Sequence, residues 1–137
     1  MNPIDHPVVA VGAVVLDHDR LLLVRRGRGP AQGDWSVPGG RVELGETLAE
    51  AVTRELLEET ALEGVCGPLI GWAERVEPDG HYVLLDFEVT LVGDDAPVAG
   101  DDAAEVAWVH LYEVGERQLA PGLAEFLHDH GIIATFT

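Results

Sequence analysis

The stretch Gly40-Arg41-Val42-Glu43-Leu44-Gly45-Glu46-Thr47-Leu48-Ala49-Glu50-Ala51-Val52-Thr53-Arg54-Glu55-Leu56-Leu57-Glu58-Glu59-Thr60-Ala61-Leu62 decides how this chain is read. Its second half is a helix by composition, with strong helix formers and no Gly or Pro from Leu48 to Thr60. Thr47 can cap it, and Glu50 three places later completes a capping box. At about 100° per residue, Leu48, Val52 and Leu56 form one apolar stripe with Ala51 at its edge. Glu50, Thr53 and Arg54 fall on the opposite, solvated side. Three glutamates break this pattern. Glu59 projects within the stripe, Glu55 falls beside it, and Glu58 lies on the flank of Ala51.

An acidic helix is ordinarily a soluble one, but carboxylates turned toward a packed face cost several kcal/mol each unless compensated. They also repel one another at spacings of three and four residues. A divalent cation removes both penalties, and an all-oxygen site suits magnesium, with manganese the alternative, better than zinc. Just upstream, Pro38-Gly39-Gly40 lets the backbone turn sharply and approach a ligand, and a carbonyl there can complete an oxygen shell. All eight cationic residues are arginines, and Arg25, Arg26, Arg28 and Arg41 fall within seventeen positions. Arginine forks bind phosphate in a bidentate way, so these four are the candidate substrate-binding residues.

Around this centre, Val8 to Leu16 reads as a buried strand and Arg20 to Arg25 as its hairpin partner across Asp17-His18-Asp19. Gly27 to Asp34 is a loop, and Trp35 to Glu46 is irregular. Val65 to Glu77 and His81 to Val92 form strands about Pro78-Asp79-Gly80. In the second of them His81, Val83, Leu85, Phe87 and Val89 share one face, and Tyr82, Leu84, Asp86, Glu88 and Thr90 the other. Gly93 to Asp102 is an acidic loop, Glu105 to Leu111 a short strand, Gly122 to His130 a helix and Ile132 to Thr137 a tail. Without a repeat or a linker, residues 1–137 read as one mixed α/β domain, an α+β sandwich with helices flanking a mixed sheet.

Bulk properties set the limits. The net charge of −17 argues against a surface for nucleic acid or anionic lipid. No apolar run reaches the ~18 residues of a membrane span. The first residues lack the basic-then-apolar pattern of a signal peptide. The single cysteine, Cys66, suits a reducing cytoplasm and reads as a small strand-edge residue. His6, His18, His110, His128 and His130 have no ligand-like spacing.

Gly40, then Glu46, then Arg54-Glu55-Leu56-Leu57-Glu58-Glu59-Thr60-Ala61-Leu62 at these spacings resembles the 23-residue motif of the Nudix hydrolases. The one departure is Ala61, where the motif has glycine. The order of strands before the motif, and of strands and a helix after it, resembles the whole family domain. The resemblance implies a Nudix fold and a metal held by Glu55, Glu58, Glu59 and the Gly39 carbonyl. It implies that Arg54 pairs with a motif glutamate and that Glu46 supports the loop or the outer metal shell. It leaves the general base among Glu55, Glu58 and an acid outside the motif; of Asp101, Asp102 and Glu105, Glu105 ranks first. The implied reaction is hydrolysis of a phosphoanhydride in a nucleoside diphosphate linked to another moiety. His81-Tyr82-Val83 through Phe87 loosely resembles members that act on ADP-ribose or related sugar nucleotides. Pyrophosphohydrolases that clean the nucleoside triphosphate pool are the alternative, and a catalytically silent nucleotide-binding module the remote one. Trp35, Trp72 and Tyr82 are candidates for stacking on a base. Val8–Leu16 and Ile132-Ile133-Ala134 are offered either to a homodimer interface or to the core.

Overall fold

The computed structural model describes residues 6–28 and 32–134. The long first strand β1 (Val8–Asp17) turns through His18-Asp19 into β2 (Arg20–Arg26). Two short strands follow, β3 (Trp35–Ser36) and β4 (Gly39–Arg41), then helix α1 (Leu48–Thr60). A second hairpin, β5 (Gly64–Glu77) and β6 (Gly80–Leu91), precedes β7 (Ala103–His110) and two helices, α2 (Leu111–Val114) and α3 (Leu123–Asp129). The strands form one hydrogen-bonded network in the order β3-β2-β1-β6-β5, with β4 beside β1 and β7 beside β2.

The β1–β2 hairpin is much shorter than the sequence suggests. It is paired only at Leu16↔Leu21 and Asp17↔Arg20. Upstream of those rungs the same edge of β1 takes β4 instead, with Gly12 opposite Gly39 and Val11 opposite Gly40. The other edge runs parallel to β6 from Val8↔Tyr82 to Val15↔Val89. A strand bonded on both edges and covered on both faces needs apolar side chains in both directions, which is why its sequence is a near-continuous run of valine and alanine. Val11, Ala13 and Val15 pack under α1 with Leu22, Ala51, Val52, Leu56 and Val89. Val14 faces the other way, into a cluster of Leu21, Leu23, Trp35, Val109, Leu127 and Ile133. Val11–Val15 and Ile133 therefore belong to the core, while Val9 and Leu16 of the same strand remain exposed. Residues 135–137 of the expected tail, and 29–31 of the expected first loop, lie outside the described residues.

The region from Trp35 to Arg41, read as irregular, holds the two short strands. Glycines give β4 no strand propensity of its own; it is extended because β1 supplies the pairing. The α1 stripe is Ala51, Val52, Leu56 and Thr60, rotated slightly from expectation, since Leu48 at the first turn remains 37% exposed. The capping box is present in full: the Glu50 N–H donates to Thr47 Oγ1 at 3.1 Å and the Thr47 N–H to Glu50 Oε1 at 2.8 Å. Ala61 closes the helix in the left-handed conformation, φ 62°, with its N–H on the Leu57 carbonyl at 2.9 Å. The acidic loop finishes this end, because the Val98 and Gly100 N–H groups donate to the carbonyls of Thr60 and Glu59 at 2.8 and 3.0 Å. On β6 the expected alternation holds, with Leu85, Phe87 and Val89 on the α1 face. Asp86, on the opposite face, lies partly buried beneath the C-terminal segment.

Candidate active site

Helix α1 crosses β1 and β4 so that its glutamate-bearing edge lies against the glycine turn. The Gly39 N–H donates to Glu59 Oε1 at 2.9 Å. A side chain on Gly40 would collide with the Glu55 carboxylate. Here the absence of a Cβ is what lets an acid approach the strand. Burial pushes the Glu59 carboxyl up to about 7; the Gly39 hydrogen bond and Arg26 oppose this, while Glu55 reinforces it. Glu55 is also raised, first by burial, with Arg54 pulling it back and Glu58 pushing it further up. Two acids held this close and this dry disfavour being charged together.

Arg54 ties the motif to itself. Its Nε and Nη2 grip Glu46 in a bidentate pair at 2.6 and 3.0 Å, and Nη2 also reaches the Arg41 carbonyl at 3.0 Å. Nη1 meets Glu58 at 3.1 Å and lies 3.5 Å from Glu55. The sequence placed Arg54 on the solvated side, but its side chain folds back over the loop and is only 23% exposed. This hydrogen bond holds Glu46 below the usual carboxylate range and raises the arginine further. Arg54 therefore pins Glu46 and the backbone at Arg41, which fixes the turn relative to the helix.

All four candidate arginines reach one pocket of about 410 Å³, lined by Arg25, Arg26, Arg28 and Arg41 together with Ser36, Gly39, Gly40, Glu55, Glu59 and Asp102. Arg28 is held by Asp102 at 2.7 Å and Arg25 by Glu105 at 3.4 Å. Arg26 and Arg41 make no ion pair at salt-bridge distance among the described residues. The Arg25 Nε is buried without a hydrogen-bond partner, which a bound anion would supply. The pocket is concave, with arginines on one side and carboxylates on the other.

Residues 6–130 match the family model described as the NUDIX domain. The chain belongs to the Nudix family. Over 108 residues it is 38% identical to a protein named ADP-ribose pyrophosphatase from Methanocaldococcus jannaschii, covering 77% of this chain and 63% of that one. A putative 8-oxo-dGTP diphosphatase of Bacillus subtilis is 34% identical over 96 residues, 70% of this chain and 61% of its own length. The chain thus spans about six-tenths of these relatives. Among solved structures, the MutT protein of Methanosarcina mazei Go1 superposes with a TM-score of 0.81 at 26% identity, covering 91% of this chain and 93% of that one.

For a Nudix site the placement of the expected residues is uneven. Glu55 and Glu59 face the pocket beside the glycine turn, whereas Glu58 is 58% exposed on the far side of Arg54. Glu105 stands on β7 opposite Arg25, outside the pocket lining, so the acid ranked first outside the motif is not brought to the glutamates. Asp102 is, and Asp101 is exposed to solvent. Among the described residues no three acidic, His or Cys side chains are yet gathered as a ready metal cage. The donors nonetheless fit a hard divalent cation. They are oxygens, two are desolvated and mutually destabilised, and the glycine turn leaves room that a Cβ would fill. Ser36 and Asp102 are pocket residues that the motif does not mark; Asp102 had only its place in an acidic loop as a signal. Of the candidate stacking residues, Trp35 is core, while Trp72 is 62% exposed on β5.

Proposed function

We propose that this protein hydrolyses a phosphoanhydride bond in a nucleoside diphosphate joined to a further moiety, with ADP-ribose or a related sugar nucleotide as substrate. The observation that carries this reading is the convergence of four arginines and two partly buried glutamates on one pocket. Magnesium, or manganese in its place, would be held by Glu55, Glu58, Glu59 and the Gly39 carbonyl; when bound it neutralises phosphate oxygens and lowers the pKa of water. Arg25, Arg26, Arg28 and Arg41 hold the diphosphate. Arg54 keeps the glycine turn and the glutamates in register through Glu46 and Arg41. Glu55, in the pocket and with its carboxyl raised by burial, is the base in our assignment: its carboxylate takes the proton of the attacking water. Its position favours it over Glu105. No covalent enzyme intermediate is required.

The substrate class draws its support from the 38% identity to a protein named ADP-ribose pyrophosphatase. The second reading, a nucleoside triphosphate pyrophosphohydrolase, is favoured by the 34% identity to the putative 8-oxo-dGTP diphosphatase. No helix among the described residues is long and apolar enough to cross a membrane, and we place the enzyme in the cytoplasm, away from nucleic acid. The test is a product-release screen with magnesium or manganese across ADP-ribose, other sugar nucleotides, dinucleotides and nucleoside triphosphates, with Glu58→Gln as control. Turnover that is lost in the variant supports the carboxylate site, and the preferred compound selects between the two readings. Absence of turnover on every compound with either metal would leave a silent binding module.

A further inference from the structure

A second chamber, about 200 Å³, opens between the sheet and the start of α3. Arg26, Ser36, Val37, Gly39 and Gly40 line both chambers, so the two are continuous. Their chemistry differs. Where the first presents four arginines, the second presents apolar wall, including Leu84 and Phe126, around the carboxyl of Asp86.

Asp86 sits mid-strand on β6, opposite Gly12 of β1 and Gly71 of β5. Both glycines are needed. A Cβ on Gly12 would strike the Asp86 carboxylate, and one on Gly71 would strike the ring of His130. That ring packs against Phe126 with centroids 4.3 Å apart. Burial pushes the Asp86 carboxyl up to about 6, with His130 pulling the other way. No hydrogen bond from a described residue reaches Asp86. Its carboxylate oxygens open into the chamber rather than into the core, and two neighbouring positions are stripped of side chains to accommodate the acid and its histidine. Such an arrangement is explained by a donor that arrives with a ligand.

We propose that Asp86 reads the uncharged half of the substrate: a ring bearing hydrogen-bond donors, either sugar hydroxyls or a base amine, enters the second chamber while the diphosphate lies in the first. This rests on the reading of the chain as a phosphoanhydride hydrolase. The second chamber sets Asp86 and Glu74 against Arg26 and Arg75, whereas the first sets four arginines against Glu55, Glu59 and Asp102, and Arg75 already donates to the Pro121 carbonyl at 3.1 Å. Phe126 supplies ring surface for packing. A buried acceptor left unpaired rejects an analogue lacking the donor far more strongly than an apolar wall rejects a change of size.

The experiment measures calorimetric binding of AMP, inosine 5′-monophosphate and ribose 5-phosphate to the wild type, Asp86→Leu and Asp86→Asn, with urea midpoints confirming that the variants fold. At least one compound should bind the wild type and weaken tenfold or more in Asp86→Leu, with a smaller loss in Asp86→Asn, which keeps an acceptor oxygen. Selective loss of AMP, with inosine 5′-monophosphate already weak, assigns the base amine. Parallel loss of both nucleotides assigns the nucleoside ribose, and loss of ribose 5-phosphate the second sugar. In turnover, the Asp86→Leu defect should fall on KM more than on kcat. Equal binding by wild type and both variants, or no binding of any of the three by the wild type, overturns the assignment. Should Asp86→Leu fail to fold, Asp86→Asn decides it by the same comparison. The two readings fail separately: a wild type that hydrolyses nothing sinks the hydrolase, whereas turnover with KM unaltered by Asp86→Leu sinks only the chamber.

Discussion

Replacing Glu59 with glutamine should make the metal-free protein more stable at alkaline pH while removing its capacity to hold a metal. Glu59 titrates near 7 in the fold against an ordinary value of 4.5. A carboxyl whose folded pKa is raised binds more protons folded than unfolded, so stability falls as pH rises between the two values. The penalty is absent below about 4.5 and complete above about 7, where 2.5 pH units correspond to about 3 kcal/mol. For a chain of 137 residues that is about 10 °C in Tm. Glutamine preserves shape and keeps an oxygen to accept the Gly39 N–H, which is now 2.9 Å from Glu59 Oε1. The assay is urea unfolding in chelator from pH 5 to 8.5 for both proteins. Wild-type stability should decline across this range, and the Glu59→Gln curve should decline distinctly less, crossing above it near neutrality. Glu55 and Asp86, both raised, keep the variant's curve from being flat. Parallel curves, or a variant less stable than wild type at pH 8, would refute the claim that the buried charge of Glu59 is an uncompensated cost.

Other consequences are simpler to check. Magnesium should raise the wild-type Tm more at pH 8 than at pH 6, because protons compete for the same carboxylates; Glu59→Gln should lose most of that shift in a thermal scan. Ala61→Gly should stabilise by about 1 kcal/mol, since Ala61 holds φ 62° as the helix cap, and denaturant midpoints will read it. Arg54→Lys should reduce kcat at least tenfold with only a modest change in stability, because lysine cannot reproduce the bidentate grip on Glu46; steady-state kinetics beside a urea melt separate the two effects. Thr47→Ala should cost about 1 kcal/mol by removing the hydroxyl that caps Glu50.

Local chemistry carried most of what the sequence revealed. The cap at Thr47, the helix through Thr60 and the β5–β6 hairpin depend on residues within a turn of one another, and they lie where the pattern puts them. The glutamates were legible for the same reason, since helical spacing converts sequence directly into direction. Non-local pairing was not legible. Nothing in Val8–Leu16 says that one edge of the strand exchanges β2 for β4 after two rungs, or that the other runs parallel with β6, because valine suits any of these neighbours. The strand β4 was invisible because its glycines are extended only by virtue of β1. Glu105 opens the strand expected from the sequence, but β7 pairs with β2 and sets Glu105 beside Arg25 rather than facing the helix.

The same non-local pairing explains why one part of the site is written in a motif and the other is not. Gly40 and Glu55 lie fifteen residues apart and meet because a loop and one helix connect them, so their spacing is rigid and recognisable. Gly12 and Asp86 make an equivalent pair, a missing Cβ opposite a partly buried acid, but they meet across the parallel β1–β6 register. The 73 residues of intervening chain can vary in length without moving them. Each pair places an acid against bare backbone at the floor of a chamber, and the two floors are joined through Gly39 and Gly40. If one pair serves metal and phosphate and the other the group the phosphate carries, reaction type resides in the local motif and substrate choice in the register of the sheet. Gly12→Ala tests that division. The new methyl must displace Asp86, so selectivity among diphosphate substrates should change while magnesium still raises the Tm; loss of the magnesium shift alone would refute the division.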